Sequence, residues 1–294
     1  MNQIAPHRAS VRLLDTPTGP LALLDTGVPT GPAPQAPVLL VPGYTGSKED
    51  FAPLVDPLAS LGHRVVAMDQ RGQFESPGVA EPAAYTMAAL AADVLSVADD
   101  LAGDAAGPVH LVGHSFGGLV ARLAVITRPA AVRSLVLLGS GPAAIGGVRR
   151  TRMDALEPVL ASGGLPAVHA VLELLAQADP TWLATPPRLR EFLRRRFLGS
   201  HEVGLRAMGD ALRTEPDRVA ALAATGVPVL VAYGAADDAW PPQVQTEMAR
   251  RLGAAVAVIP AAAHSPAVEN PAEVVRALAS FWRSHSRRSS SYGG

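Results

Sequence analysis

Val109–Leu119 reads VHLVGHSFGGL. Val109–Val112 is a short β-rich apolar run, and Gly117–Thr127 has helical period. Between them stands Gly113–His114–Ser115–Phe116–Gly117, a Gly-x-Ser-x-Gly pentapeptide. A strand, this motif and a helix in succession predict that Ser115 occupies a sharp strand-to-helix turn. Gly113 and Gly117 are expected where a Cβ would collide with neighbouring backbone. Such a turn lifts the Ser115 hydroxyl above a sheet and sets it at a helix N-terminus, where free N–H groups favour a developing negative charge. The alternative is a serine that merely caps a helix; the flanking strand and helix favour the nucleophile.

Outward from this stretch, short β-rich runs alternate with helical ones. Strands are expected at Val11–Thr16, Leu21–Thr26, Pro37–Pro42, Arg64–Met68, Ser134–Leu138, Val229–Tyr233 and Ala255–Ile259. Pro37–Pro42 is continuously apolar, as in a parallel strand covered on both faces, and Arg64–Met68, Val109–Val112, Ser134–Leu138, Val229–Tyr233 and Ala255–Ile259 read as strands of the same kind. Helices are expected at Lys48–Ser60 (N-cap Ser47), Met87–Leu101, Pro242–Leu252 and Pro271–Ser284. The alternation predicts an α/β fold: an open, mostly parallel sheet with helices on both faces. Gly141–Leu222 breaks the rhythm, with helical pieces near Thr151–Ala161, Leu165–Gln177, Pro187–Phe197 and Glu202–Arg213 but no convincing buried strand. It reads as a helical cap, residues 141–222, inserted between two late strands of a core formed by 1–140 and 223–284. Residues 285–294, polar and Gly-ending, read as a frayed tail.

The 294 residues are 48% hydrophobic and 17% charged, enough to bury a sizeable core. A formal net charge of −1 offers no basic excess for nucleic acid or anionic lipid. The absence of Cys excludes disulfides, thiolate catalysis and Cys-ligated metal centres. No signal peptide and no run of about 18 apolar residues is evident, so a cytoplasmic protein without a membrane span is expected. Lys48 is the only lysine, a bias that reads as codon usage.

The motifs in order are Pro42–Gly43–Tyr44, Asp69–Gln70–Arg71–Gly72, Gly113–His114–Ser115–Phe116–Gly117, Gly234–Ala235–Ala236–Asp237 and His264–Ser265. With them the chain, from about Val11 to Trp282, resembles the α/β-hydrolase superfamily of the capped, serine-triad type. That resemblance implies the order nucleophile, acid, base. Of eight histidines, only His264 follows a late strand and precedes the last helix, where the family's catalytic His sits. His114 is expected to pack structurally, pointing away from Ser115. The family's acid stands three after the Gly and four before the Pro, which selects Asp237 over Asp238. Some relatives draw the acid from the end of the preceding strand; Gly139–Ser140–Gly141 has no carboxylate.

The resemblance further implies an oxyanion hole from the backbone N–H groups of Phe116 and Tyr44. Pro42 stands where the family usually has His. Asp69–Ser76 resembles an Asp-x-Arg-Gly-x-Gly-x-Ser loop, departing at Gln73 and Phe74, and is expected to brace loops under the site. Tyr44, Trp182, Phe192 and Phe197 are the candidate pocket residues, and the run Arg188, Arg190, Arg194, Arg195 and Arg196 reads as a solvated helix face. The resemblance thus implies a hydrolase without cofactor or metal, acting on the carboxylic ester of a small molecule with an apolar acyl or alcohol group. Relatives use the same triad on carbon–carbon bonds, lactones and thioesters or in cofactor-free haloperoxidase chemistry, and some members of the fold are ligand receptors.

Overall fold

The computed structural model describes residues 3–30, 35–103 and 107–286. Its eight strands are β1 (Ser10–Thr16), β2 (Gly19–Asp25), β3 (Val38–Val41), β4 (Val65–Met68), β5 (Val109–His114), β6 (Val132–Leu138), β7 (Val229–Gly234) and β8 (Ala255–Ile259). They form one sheet in the order β1-β2-β4-β3-β5-β6-β7-β8. β2 pairs antiparallel with β1 and β4; every later pairing is parallel.

The helices are α1 (Ala52–Ala59), α2 (Met87–Leu101), α3 (Phe116–Thr127), α4 (Gly147–Ala176), α5 (Pro180–Leu183), α6 (Pro187–Leu198), α7 (Glu202–Thr214), α8 (Val219–Ala223), α9 (Pro242–Leu252), α10 (Pro266–Glu269) and α11 (Pro271–Ser286). Side chains alternate across a strand, and β3 shows what that does to an unbroken apolar run. Leu39 and Val41 join Leu90, Val94, Leu119 and Val120 of α2 and α3 in one core. Val38 and Leu40 join Leu54 and Leu58 of α1 and Leu278 of α11 in the other. Both faces are therefore covered, as continuous apolarity requires.

Two boundaries and the burial of one strand differ from the sequence reading. β8 is an edge strand with Val256 46% and Val258 53% exposed, since only β7 flanks it. Lys48–Phe51 is a 3₁₀ turn ahead of α1, because Pro53 in the first helical turn has no N–H to extend an α ladder backwards. α11 runs through Ser286, so the expected tail begins no earlier than residue 287 and lies outside the described residues.

α4 to α7 interrupt the strand–helix alternation between β6 and β7. α8 packs back on α3 and α9, with Val219 and Leu222 in the core, so it belongs with the helices flanking the sheet. By length and composition α4 is apolar enough to cross a membrane, which a search for unbroken apolar runs does not register. Gly164 (φ 64°, ψ −165°) divides it into two pieces, each shorter than the roughly 20 residues a crossing needs. The break falls where the sequence separates Thr151–Ala161 from Leu165–Gln177. α3 is tied to both ends of the α4–α7 segment by Arg122, whose guanidinium is buried against Glu215 at 3.0 Å and donates to the Pro142 carbonyl.

Lys48 is wholly buried beside Asp69 (2.9 Å), Glu75 (2.6 Å) and Glu49 (3.0 Å). These carboxylates hold its ammonium well above the usual lysine pKa, outweighing the burial that opposes charge. Lys48→Met leaves Asp69 buried without its counter-charge and is expected to lower unfolding free energy by about 3–5 kcal/mol. Urea denaturation checks this; a loss below about 1 kcal/mol would show the pair to be dispensable.

Candidate active site

The site is assembled where β3, β5, β6 and β7 end. Ser115 has φ 54° and ψ −121°, a conformation non-glycine residues rarely adopt. The flanking glycines make that turn possible. A Cβ on Gly113 would lie 2.4 Å from the Gly117 carbonyl oxygen, and one on Gly117 would lie 2.4 Å from the oxygens of Val41 and Pro42. β5 and α3 thus meet closer than any side chain permits, and the hydroxyl stands at the first turn of α3.

His264 lies in the loop between β8 and α10. Its Nε2 is 2.9 Å from Ser115 Oγ and its Nδ1 is 3.0 Å from Asp237 Oδ1. With Nδ1 carrying the proton, Nδ1–H donates to Asp237 and Nε2 accepts the Ser115 hydroxyl. Asp237 is itself fixed: Oδ1 accepts the Ala239 N–H at 2.9 Å, and Oδ2 accepts Gln245 Nε2 at 2.9 Å. Asp238 points elsewhere. Its carboxylate is 62% exposed and pairs with Arg149 at 2.7 Å. Partial burial would raise its pKa, but the Arg149 guanidinium holds it below the usual carboxylate range.

His114 does not turn out of the site. Its ring centre is 5.1 Å from that of His264, and its Nε2 meets the His264 carbonyl oxygen at 2.7 Å. Burial, with His264 beside it, lowers its pKa to about 4. It is therefore neutral near pH 7, and Nε2–H donates to that carbonyl, holding the His264 backbone.

Gly43 abuts Ser115: a Cβ there would sit 3.1 Å from the Ser115 Cβ. The Tyr44 and Phe116 N–H groups make no loop hydrogen bond among the described residues. The loop is held from below, where Gln70 donates to the Pro42 carbonyl and Gln73 to the Gly43 carbonyl, each at 2.8 Å. Ser76 donates to the Asp69 carbonyl and accepts the Ala22 N–H, and Arg71 pairs with buried Asp93. The Asp69–Ser76 stretch is thus a brace, and two glutamines fix the turn that has Pro42 in place of His. Desolvation raises the Tyr44 phenol to about 12, so it remains neutral.

A cavity of about 390 Å³ opens on Ser115 and His264, with Tyr44, Ile145, Met153, Trp182, Leu193 and Leu212 among its apolar walls. Two pocket expectations are corrected. Phe192 packs edge-on against Phe74 at 5.9 Å, on the side of α6 facing the Asp69–Ser76 loop. Phe197 lines a neighbouring cavity with His169 and Leu172. The solvated reading of the arginine run fails at Arg196, which is largely buried, pairs with Asp50 at 2.6 Å and lines the Ser115 cavity. Gln245, Arg149, Arg152 and Gln3 escape sequence reading because none belongs to a motif. Helical spacing of Arg149, Arg152 and Met153 on α4 is the one signal that points three side chains the same way.

The chain belongs to the alpha/beta hydrolase family, whose model matches residues 38–277. It is 42% identical over 110 residues to a protein of Variovorax paradoxus named as a carbamate hydrolase, RutD; the match spans 37% of this chain and 40% of that relative's length. A protein of the same name from Azorhizobium caulinodans is 28% identical over 240 residues, 80% of this chain and 86% of its own. Among solved structures, one from a study of carboxylesterases of Nitrososphaera gargenis superposes with a TM-score of 0.76 at 22% identity, covering 94% of this chain and 100% of the other. That likeness shows the fold.

Proposed function

We propose that the protein hydrolyses a carboxylic ester or similarly activated acyl bond through an acyl-enzyme. The observation that carries this is the continuous chain Ser115 Oγ–His264 Nε2 and His264 Nδ1–Asp237 Oδ1 at 2.9 and 3.0 Å, opening on one cavity. Ser115 Oγ attacks the carbonyl carbon while His264 Nε2 takes its proton; Asp237 holds the imidazole tautomer and balances the imidazolium. The N–H groups of Tyr44 and Phe116 receive the oxyanion. His264 returns the proton to the departing alcohol, and water, deprotonated by His264, releases the acid and regenerates Ser115. The curated relatives named as carbamate hydrolases support acyl chemistry of this kind, with a carbamate as an alternative substrate. A fluorophosphonate is expected to form one adduct, at Ser115, located by peptide mass spectrometry; an unlabelled Ser115 in folded protein would overturn the reading.

In this reading α4 to α7 cap the site and set acyl preference. Burial gains about 0.8 kcal/mol per CH₂, so each methylene that fits raises kcat/KM roughly fourfold until the cavity is full. Trp182→Ala is expected to lengthen the preferred acyl chain in a series of ethyl esters, whereas Phe192→Ala, outside the cavity, leaves the optimum in place. An optimum that Trp182→Ala does not move would make the segment a cover only.

A further inference from the structure

The cavity at Ser115 is not simply apolar. Three guanidinium groups line it, those of Arg149, Arg152 and Arg196, against a single carboxylate, Asp50. Arg196 is matched by Asp50 at 2.6 Å, and Arg149 by Asp238 at 2.7 Å. Among the described residues, no acceptor meets the Arg152 side chain. Gln3 lines the same cavity, is 6% exposed, and its Oε1 has no hydrogen-bond partner among those residues. An exposed arginine without an ion partner among the described residues therefore shares a cavity with Ser115, in a wall that also carries Tyr44, Ile145, Met153, Trp182, Leu193 and Leu212.

We propose that Arg152 is a specificity-determining subsite for a carboxylate carried on the substrate, so that the preferred ester is a half-ester of an aliphatic dicarboxylic acid. The proposal rests on the acyl-hydrolase reading above. One unmatched cation suits a monoanion, and a carboxylate accepts paired N–H groups of a guanidinium in plane. The apolar wall suits the methylenes between the two ends. In the neighbouring cavity, which Arg152 also lines, Arg152, Arg194 and Arg196 stand with two carboxylates, Glu173 and Asp179, so the cationic excess is smaller there. Arg149, Arg152 and Met153, at i, i+3 and i+4 of α4, put cation and apolar surface side by side on one helical face.

The test compares kcat/KM for monoethyl adipate with that for ethyl hexanoate, which has the same acyl length and no charge. The ratio is expected to exceed one in the unmodified protein. It should fall roughly 10–100-fold in Arg152→Gln, the worth of a charge-assisted hydrogen bond, recover partly in Arg152→Lys, and stay unchanged in Arg250→Gln, an exposed arginine of α9 paired with Glu247. Raising salt should lower the ratio in the unmodified protein and have little effect in Arg152→Gln. A ratio at or below one, or one that Arg152→Gln leaves in place, overturns the subsite. Calorimetric binding of adipate separates the two claims. Adipate bound by the unmodified protein and lost in Arg152→Gln supports the subsite even if neither ester is turned over, a result that would overturn the hydrolase reading alone. Equal or absent binding in both proteins overturns the subsite.

Discussion

Replacing Ser115 by Ala is expected to lower ester hydrolysis by about 10⁶-fold, the scale on which losing a triad nucleophile is felt. The hydroxyl is small, and among the described residues its hydrogen bond to His264 is the only one lost, so the fold should survive; relief of the unusual backbone at position 115 is not expected, since Ala has the same Cβ. Kinetics on ethyl hexanoate with circular dichroism and urea denaturation of the same preparation separate the two effects. A folded Ser115→Ala variant at unchanged rate would remove Ser115 from the chemistry.

The second large effect is expected at Asp237. Asp237→Asn keeps the shape of the side chain but takes away the charge facing Nδ1 and disturbs the tautomer that presents Nε2 to Ser115; kcat should fall by about 10⁴-fold. Gln245 adds to the loss. It donates to Oδ2 at 2.9 Å, so a substituted amide that turns its NH₂ toward Gln245 sets donor against donor, and one that turns it toward His264 forces the wrong ring nitrogen to carry the proton. Asp238→Asn touches only the exposed Arg149 pair and should change kcat less than about tenfold. The opposite order would transfer the orienting role to Asp238.

Backbone demands wrote themselves plainly into the residues. The turn at Ser115 can be read because two glycines are needed where Cβ atoms would strike carbonyl oxygens, and the parallel strands because a sheet covered on both faces leaves no polar position in VLLV. β8 misled for the converse reason: its small, β-branched residues suit a strand wherever it lies, and only the strand order puts it at an edge. The cavity was less legible. Phe192 and Phe197 look like pocket residues by composition, yet which side of α6 faces Ser115 depends on how the inserted helices settle, and Phe74 claimed the first. Gln3 lies far outside the motifs, and Arg152 is one arginine among many until Asp238 and Asp50 are seen to take its neighbours.

The buried ammonium under the site gives the molecule an unusual surface. Its only lysine is enclosed with Asp69, Glu49 and Glu75, so reagents that acylate primary amines meet no lysine side chain on the folded protein. Acylation at Lys48 requires the loops beneath Pro42–Tyr44 and Asp69–Ser76 to open, and its rate would serve as a clock for that opening. The same enclosure means that cross-linking or immobilisation through lysine would capture only molecules in which the loops beneath Ser115 had already come apart.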